Sequence, residues 1–355
     1  MPKPLPPLPT ASNALAFITD EGFATGFLTT FASALIASNL DDFNIYIGYD
    51  QTNSIDRTWE QVIQLCERFN FPIQRCQRIP VDTDPFKAYA PLSNGSHCSY
   101  CRHYLASILQ EPRLLYLDSD MLILDDLSKL VEQFPEGAPL AAVQDRYLLT
   151  HANDAYHLDG SKPINDTSPY FNSGMILFDT DKFRKRNALE QFSALHPRLS
   201  KISFTDQTYI NIILKDQWAP LPARWNALTI PRQPSPLMDG NQTQGILHFV
   251  TRDKPWTLAC LDSANILWHC VGRAIGVTVA PEVDTALDSL IDTHLQLPRT
   301  KLKLKMHYYR LRKAKQHKAD RIARILDLPN QLKLIEQWLQ KHLLGALPEP
   351  FRRLR

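Results

Sequence analysis

The sequence predicts an α/β fold over residues 13–259, an open sheet flanked by helices, followed by a helical and strongly basic extension. Three observations carry this reading. Short apolar runs alternate with helix-length amphipathic stretches at the spacing of βαβ units. One of those runs ends in an Asp-x-Asp, at Asp118-Ser119-Asp120. Beyond Cys260 the pattern is helical throughout, and residues 299–355 carry 16 basic against 4 acidic residues, leaving 23 basic and 33 acidic for the body before them. A length of 355 residues with 44% hydrophobic content is enough to bury a full core, as one large domain with additions or as two domains.

Residues 1–12 are proline-rich and contain no apolar stretch of signal-peptide type, so the expectation is a chain made and kept in the cytosol. No run approaches the ~18 to 20 apolar residues that span a bilayer. Six cysteines are too sparse for a disulfide framework, and without a secretory route the sequons at Asn94, Asn165 and Asn241 carry no weight. Residues 14–19 (ALAFIT) form a first strand, followed by a polar turn and a helix over 23–38. Residues 43–48 (FNIYIG), a helix over 55–69 and a strand over 73–79 repeat the pattern. A helix over 99–109 leads into the strand 113–118, whose acids then sit at the carboxyl end, where nucleotides bind such sheets. Residues 140–143 read as a strand and 147–168 as a long polar loop. Strand 170–179, helices 183–195 and 206–214, and a short strand 246–249 carrying His248 complete the domain.

An Asp-x-Asp at a strand end converges hard oxygen ligands on one divalent cation, and such a cation can hold a diphosphate whose negative charge grows as it departs. The competing reading is that one acid caps the next helix and the other is solvated, so the surrounding segments decide. LLYLDSDMLILDDLSKL resembles the acid-motif region of the retaining GT-A glycosyltransferases of family GT8, the group that includes glycogenin and bacterial lipopolysaccharide galactosyl- and glucosyltransferases. Six further segments match in the same order: TDEGF, YCRHYLASIL, FNSGMILFD, TDQTYIN, LPARWN and HFVTRDKPW. The resemblance covers residues 14–256 and implies a Rossmann-like mixed sheet flanked by helices. The sequence departs from the family at Thr251, where Gly is usual, at Gly22, and at Phe23, which replaces Tyr.

The resemblance implies roles residue by residue. Asp118, Asp120 and His248 hold a divalent cation, manganese first and magnesium second. Two carboxylates with one imidazole suit a borderline ion. Lys254 neutralises the β-phosphate; Thr19, Asp20 and Phe23 face the nucleoside of a UDP-sugar; Ser119 lies between the paired acids; Arg102 reaches the donor sugar or its phosphate, or else pairs with a strand-end acid. Asn172, Asp206 and Gln207 line the sugar and the reaction centre. Retention proceeds through a covalent intermediate or by same-face attack, and the residues leave both open. Cys98 and Cys101, flanked by His97 and His103, have zinc-like spacing without a second pair. Asp125 and Asp126 cap or solvate the following helix.

Residues 260–298 read as a helical extension and 299–355 as a basic amphipathic tail, broken at Pro329 and continued by a second helix with Leu332, Ile335, Leu339 and Leu343 on one stripe. Such a tail suits anionic lipid rather than nucleic acid. Its deletion is expected to release the chain from anionic liposomes and spare donor hydrolysis. The function implied is hexosyl transfer, of glucose or galactose, from a UDP-sugar to a saccharide or glycolipid acceptor at the inner face of the membrane. The rivals are a glycogenin-like self-glucosylating primer, an inactive nucleotide-sugar-binding scaffold, and a phosphotransferase of the haloacid-dehalogenase type, which wants Thr or Val where Leu122 stands.

Overall fold

The computed structural model describes residues 8–89, 97–145, 155–162, 164, 168–202, 204–230, 237–239, 242–310 and 316–343. The sequon asparagines Asn94, Asn165 and Asn241, most of the loop expected over 147–168, and residues 311–315 and 344–355 of the tail lie outside them. The strands in chain order are β1 (Asn13–Ile18), β2 (Phe43–Asp50), β3 (Cys76–Val81), β4 (Arg113–Leu117), β5 (Met121–Ile123), β6 (Leu140–Gln144) and β7 (Ala155–His157). They continue with β8 (Phe171–Asp179), β9 (Leu199–Ile202), β10 (Trp218–Pro220), β11 (Ala227–Thr229), β12 (Met238–Asp239), β13 (Gln242–Thr243) and β14 (Ile246–Phe249). The helices are α1 (Ala24–Ala37), α2 (Asp56–Arg68), α3 (Cys101–Ile108), α4 (Leu127–Val131), α5 (Thr180–Lys185) and α6 (Ala188–Leu195), then α7 (Thr205–Ile213), α8 (Ser263–Ile275), α9 (Pro281–Leu295), α10 (Arg299–Arg310) and α11 (Gln316–Leu343).

The chain divides into two compact units. The first comprises Met1–Phe27, Ser38–Ser119 and Asp126–Asn226 and contains a seven-stranded sheet in the order β10-β6-β8-β4-β1-β2-β3. Neighbours among β4, β1, β2 and β3 run parallel, as the alternating pattern predicts, whereas β8 runs antiparallel to both β4 and β6. All nine residues of β8 are buried, the mark of a strand covered on both faces. Its reversed direction matters for the site: Leu117, the last residue of β4, lies opposite Met175, so the opening residues 171–174 of β8 continue beyond the end of β4.

Several elements differ in detail from the sequence reading. The strand expected over 73–79 begins only at Cys76, because a 3-10 turn at Ile73–Arg75 follows Pro72. The helix expected over 183–195 is two helices, separated where Asn187 takes a left-handed backbone at φ +48°. The short strands β5, β7 and β9 to β13 leave too few residues for a period to show.

The second unit comprises Leu28–Ala37, Asp120–Asp125 and Ala227–Arg355. Its three-stranded sheet, β11-β14-β5, is edged by helix α1, where Thr30 Oγ1 donates to Met121 O at 2.8 Å and Ser33 Oγ accepts from Ile123 N at 2.9 Å. Helices α8, α9 and α11 close its core around Trp268, Leu287, Ile291, Leu332, Ile335 and Trp338. Here the expected break at Pro329 is overturned. Helix α11 runs unbroken from Gln316 to Leu343 with Pro329 inside it. Proline removes one intrahelical hydrogen bond and crowds the preceding turn. The burial of Leu328, Leu332, Ile335 and Leu339 on one face offsets that loss. The stripe assigned to a lipid surface is therefore core, and Trp338 Nε1 donates to Leu124 O at 3.1 Å. Deleting residues 299–355 removes part of the fold as well as charge.

Candidate active site

The carboxyl end of β4 and the opening of β8 bring several polar side chains of the first unit together. Asp118 N donates to Gly174 O at 2.8 Å, which fixes the acid pair against β8. Tyr116 OH donates to Asp118 Oδ1 at 2.7 Å, and burial pushes the phenol well above its ordinary value, so it remains a donor. Arg102, on α3, is buried and lies 3.1 Å from Asp118 Oδ1 and 3.1 Å from Asp206 Oδ2. Its guanidinium also donates to the carbonyls of Ser99 and Ser173 and stacks on the Tyr116 ring, 4.7 Å from the centroid. Of the two readings of Arg102, the ion pair is present.

Asp206 and Gln207 open α7, and both are buried. Burial opposes ionisation of Asp206, but Arg102 and His103 outweigh it and hold the carboxyl below the usual range. Gln207 Oε1 accepts from Ser173 N at 2.8 Å, and Asn211, one helical turn on, binds both N and O of Phe171 at 2.9 Å, so α7 is stitched to β8. The backbone entering α7 is strained: Thr205, a β-branched residue, has φ +32°. Asn172 Nδ2 donates to Asp145 Oδ2 at 3.0 Å, while its Oδ1 accepts from Asn226 Nδ2 at 2.9 Å and Gly174 N at 3.0 Å.

At the end of β1, Ser119 Oγ donates to Ile18 O, and Thr19 N donates to Gly48 O at 3.0 Å. A Cβ at Gly48 would meet Ile18 Cδ1 at 2.5 Å and Leu105 Cδ1 at 3.2 Å, so a larger residue there would displace those two side chains. Asp20 Oδ1 accepts from Phe23 N at 2.8 Å and closes the turn on which both residues sit. Asp126 caps α4 by accepting from Ser128 N at 3.0 Å, as expected of it.

In the second unit Asp120 precedes β5 and His248 lies on the adjoining β14, with Phe249 N donating to Asp120 O at 2.9 Å. His248 Nε2 is 3.3 Å from Asp120 Oδ1, and Lys254 Nζ is 2.6 Å from Asp120 Oδ2. Burial works against the Asp120 carboxylate, yet Lys254 and His248 outweigh it and hold it well below its ordinary value. One ligand atom each from Asp118, Asp120 and His248 lies within 4.8 Å of the others, the one such cluster among the described residues. Bonds of ~2.2 Å put the ligand atoms of one ion within about 4.4 Å of each other, so small side-chain adjustments fit this set to one cation. The Cys98 and Cys101 pair forms no such cluster with its neighbours: His97 Nε2 bonds Tyr89 O and His103 faces Asp206.

The loop bearing Lys254 is held by α8, where His269 Nε2 bonds Pro255 O at 3.1 Å and Trp268 packs on Trp256. Burial and Arg273 push the His269 pKa down from 6.5 to about 4. Because the unfolded chain binds a proton here that the folded chain refuses, stability is expected to fall as pH drops from about 6.5 towards about 4, by ~3 kcal/mol for this group. Urea unfolding across that range is the check, and the His269→Gln variant is expected to lose much of the dependence.

Sequence reasoning missed His103, Ser173 and Asp145 as partners of the site. Asn211 and Asn226 lie in segments it recognised, and the spacing of Asn211 four residues after Gln207 signals a shared helix face. Nothing in the sequence connects Asp145 to Asn172.

Residues 14–260 match the family model for Glycosyl transferase family 8. General stress protein A of Bacillus subtilis (strain 168) is 31% identical over 207 residues, a span of 53% of this chain and 68% of that protein. Glycosyltransferase GlyF of Streptococcus pneumoniae is 24% identical over 264 residues, 72% of this chain and 60% of its own length. Several other relatives are matched over less than two thirds of their length. Among solved structures, galactosyltransferase LgtC in complex with donor and acceptor sugar analogues superposes with a TM-score of 0.60 at 20% identity, over 76% of this chain and 98% of that one.

Proposed function

The chain belongs to glycosyl transferase family 8, with the GT-A fold, and on that premise we propose that it is a metal-dependent retaining enzyme moving glucose or galactose from a UDP-sugar to a saccharide or glycolipid acceptor. The observation that carries this reading is the convergence of Asp118, Asp120 and His248. These three residues would hold a divalent ion, manganese first, which would supply positive charge to offset the negative charge growing on a departing diphosphate. Lys254 supplies a second positive charge beside Asp120. Arg102 lies between Asp118 and Asp206 and ties the acid motif to the residues assigned to the sugar. Asp206, kept ionised, opposes the positive charge that develops at the anomeric carbon, while Gln207 and Asn172 position the sugar. Thr19, Asp20 and Phe23 take the nucleoside.

The test is release of UDP from UDP-glucose, UDP-galactose and related donors, with and without manganese or magnesium. Metal-dependent release from one donor is expected, and a scaffold releases none. Glucose attached to the protein's own tyrosines would point to self-glucosylation.

We place the acceptor at an anionic membrane surface on the strength of α10. No helix among the described residues is long and apolar enough to cross a membrane. Lys301, Lys303, Lys305 and Arg310 are exposed on α10, as are Leu304 at 70% and Tyr308 at 47%. At about 1 kcal/mol per basic residue near anionic lipid, replacing the three lysines with glutamate is expected to weaken vesicle binding by about 100-fold or more. Unchanged cosedimentation with phosphatidylglycerol vesicles would remove the membrane assignment. This variant leaves α11 in place, which the tail deletion does not.

A further inference from the structure

His103 occupies a position the proposed chemistry leaves unexplained. It lies on α3 next to Arg102, is fully buried, and its Nε2 is 3.2 Å from Asp206 Oδ2, the same oxygen that faces Arg102 Nε at 3.1 Å. The imidazole packs against the rings of Phe183 and Phe192, at centroid distances of 6.5 and 5.1 Å, and Nδ1 has no partner. An imidazole held this way has one polar contact, with the carboxylate, and an apolar cage that fixes its plane. Buried polar groups are retained with a partner or at a cost.

We infer that His103 is a positioning residue, a neutral hydrogen-bond donor that fixes the Asp206 carboxylate through Nε2–H without neutralising its charge. This rests on the role assigned to Asp206 above. The geometry favours the Nε2–H tautomer, since the facing group is a carboxylate and only accepts. Burial, with Arg102 alongside, lowers the histidine's tendency to take a second proton, and Asp206 opposes this less strongly. A protonated imidazole would cancel the negative charge that Asp206 is assigned to present. A neutral donor leaves that charge in place and restricts the carboxylate to one orientation. Thr205 Oγ1, 3.1 Å from Asp206 Oδ1, and the strained backbone at Thr205 constrain the same carboxylate from its other side.

The contact is tested first without activity, in the full chain. Long-range 1H–15N NMR is expected to show His103 as the Nε2–H tautomer, neutral at pH 7, with its Nε2 resonance shifted by Asp206→Asn. An Nδ1–H tautomer, free titration near 6.5, or indifference to Asp206→Asn overturns the inference, whether or not any donor is turned over.

With UDP-galactose and UDP-glucose as probes, His103→Leu is expected to lower kcat for donor turnover by about 10- to 100-fold while KM for the donor changes little. His103→Gln, whose amide nitrogen reaches the place of Nε2, restores most of it, and His103→Asn, whose shorter amide does not, fails to. Equal activity in the Gln and Asn variants, or losses that follow melting temperature alone, overturns the positioning role. Should His103→Leu fail to fold, the Gln and Asn pair carries the comparison. A wild-type chain that releases UDP from no donor refutes the proposed function and leaves the NMR result to decide this contact.

Discussion

Asp120→Asn is expected to lower metal-dependent release of UDP by on the order of 10^3-fold. The carboxylate is nearly buried and serves in two ways, as a ligand of the Asp118, Asp120 and His248 cluster and as the counter-charge to Lys254 at 2.6 Å. Asparagine keeps the shape, and its amide oxygen still accepts from Lys254, so the fold is expected to persist. What disappears is the negative charge. Manganese affinity, followed by calorimetry, is expected to fall alongside the rate, with little change in melting temperature. A variant that turns over donor within tenfold of wild type, with manganese affinity unaltered, would refute the assignment of this acid to the cation.

The second large effect concerns stability. Trp338→Ala on α11 is expected to destabilise the chain by about 3–5 kcal/mol, the usual cost of emptying a large aromatic site in a packed core. Trp338 is 8% exposed, packs in the core of the second unit and donates to Leu124 O. A conservative change on the solvent side of the same helix, Lys333→Gln, is expected to cost less than about 0.5 kcal/mol. Urea unfolding distinguishes them. A Trp338→Ala cost below about 1 kcal/mol would mean that α11 is held only loosely and that its apolar face is available for other work.

The fold was legible where long periodic segments stand side by side. The parallel run β1, β2, β3 and the entry to β4 follow from apolar runs alternating with amphipathic helices, and the mixed character of the sheet followed from the resemblance. Short strands such as β5 and β11, at three residues each, carry no readable period and are defined by their ladder partners. The Pro329 expectation failed for a related reason. Local chemistry disfavours proline inside a helix by a few kcal/mol, whereas the burial that overrides it comes from residues such as Ile36 and Leu124, about two hundred positions or more away in the chain.

The candidate site was legible in its acids and less so in their supports. Asp118, Asp120 and His248 declare themselves by chemical type and by the segments around them. His103 does not, because a histidine beside an arginine on a short helix reads equally well as a flank of Cys101, and only the packing of α3 against α6 and α7 aims it at Asp206. Asp145 carried no sequence signal, since its partner Asn172 lies on a different strand 27 residues on.

The second unit gathers Leu28–Ala37, Asp120–Asp125 and a segment reaching into α11. During synthesis its earliest and latest pieces leave the ribosome some three hundred codons apart, so the sheet of the first unit has most of its strands in hand long before the second can close. Long-range closure of this kind is slow and leaves apolar surface open in the interval. Nascent chains arrested shortly before residue 328 are therefore the ones expected to recruit chaperones most strongly, a liability set by the order in which the polypeptide is made.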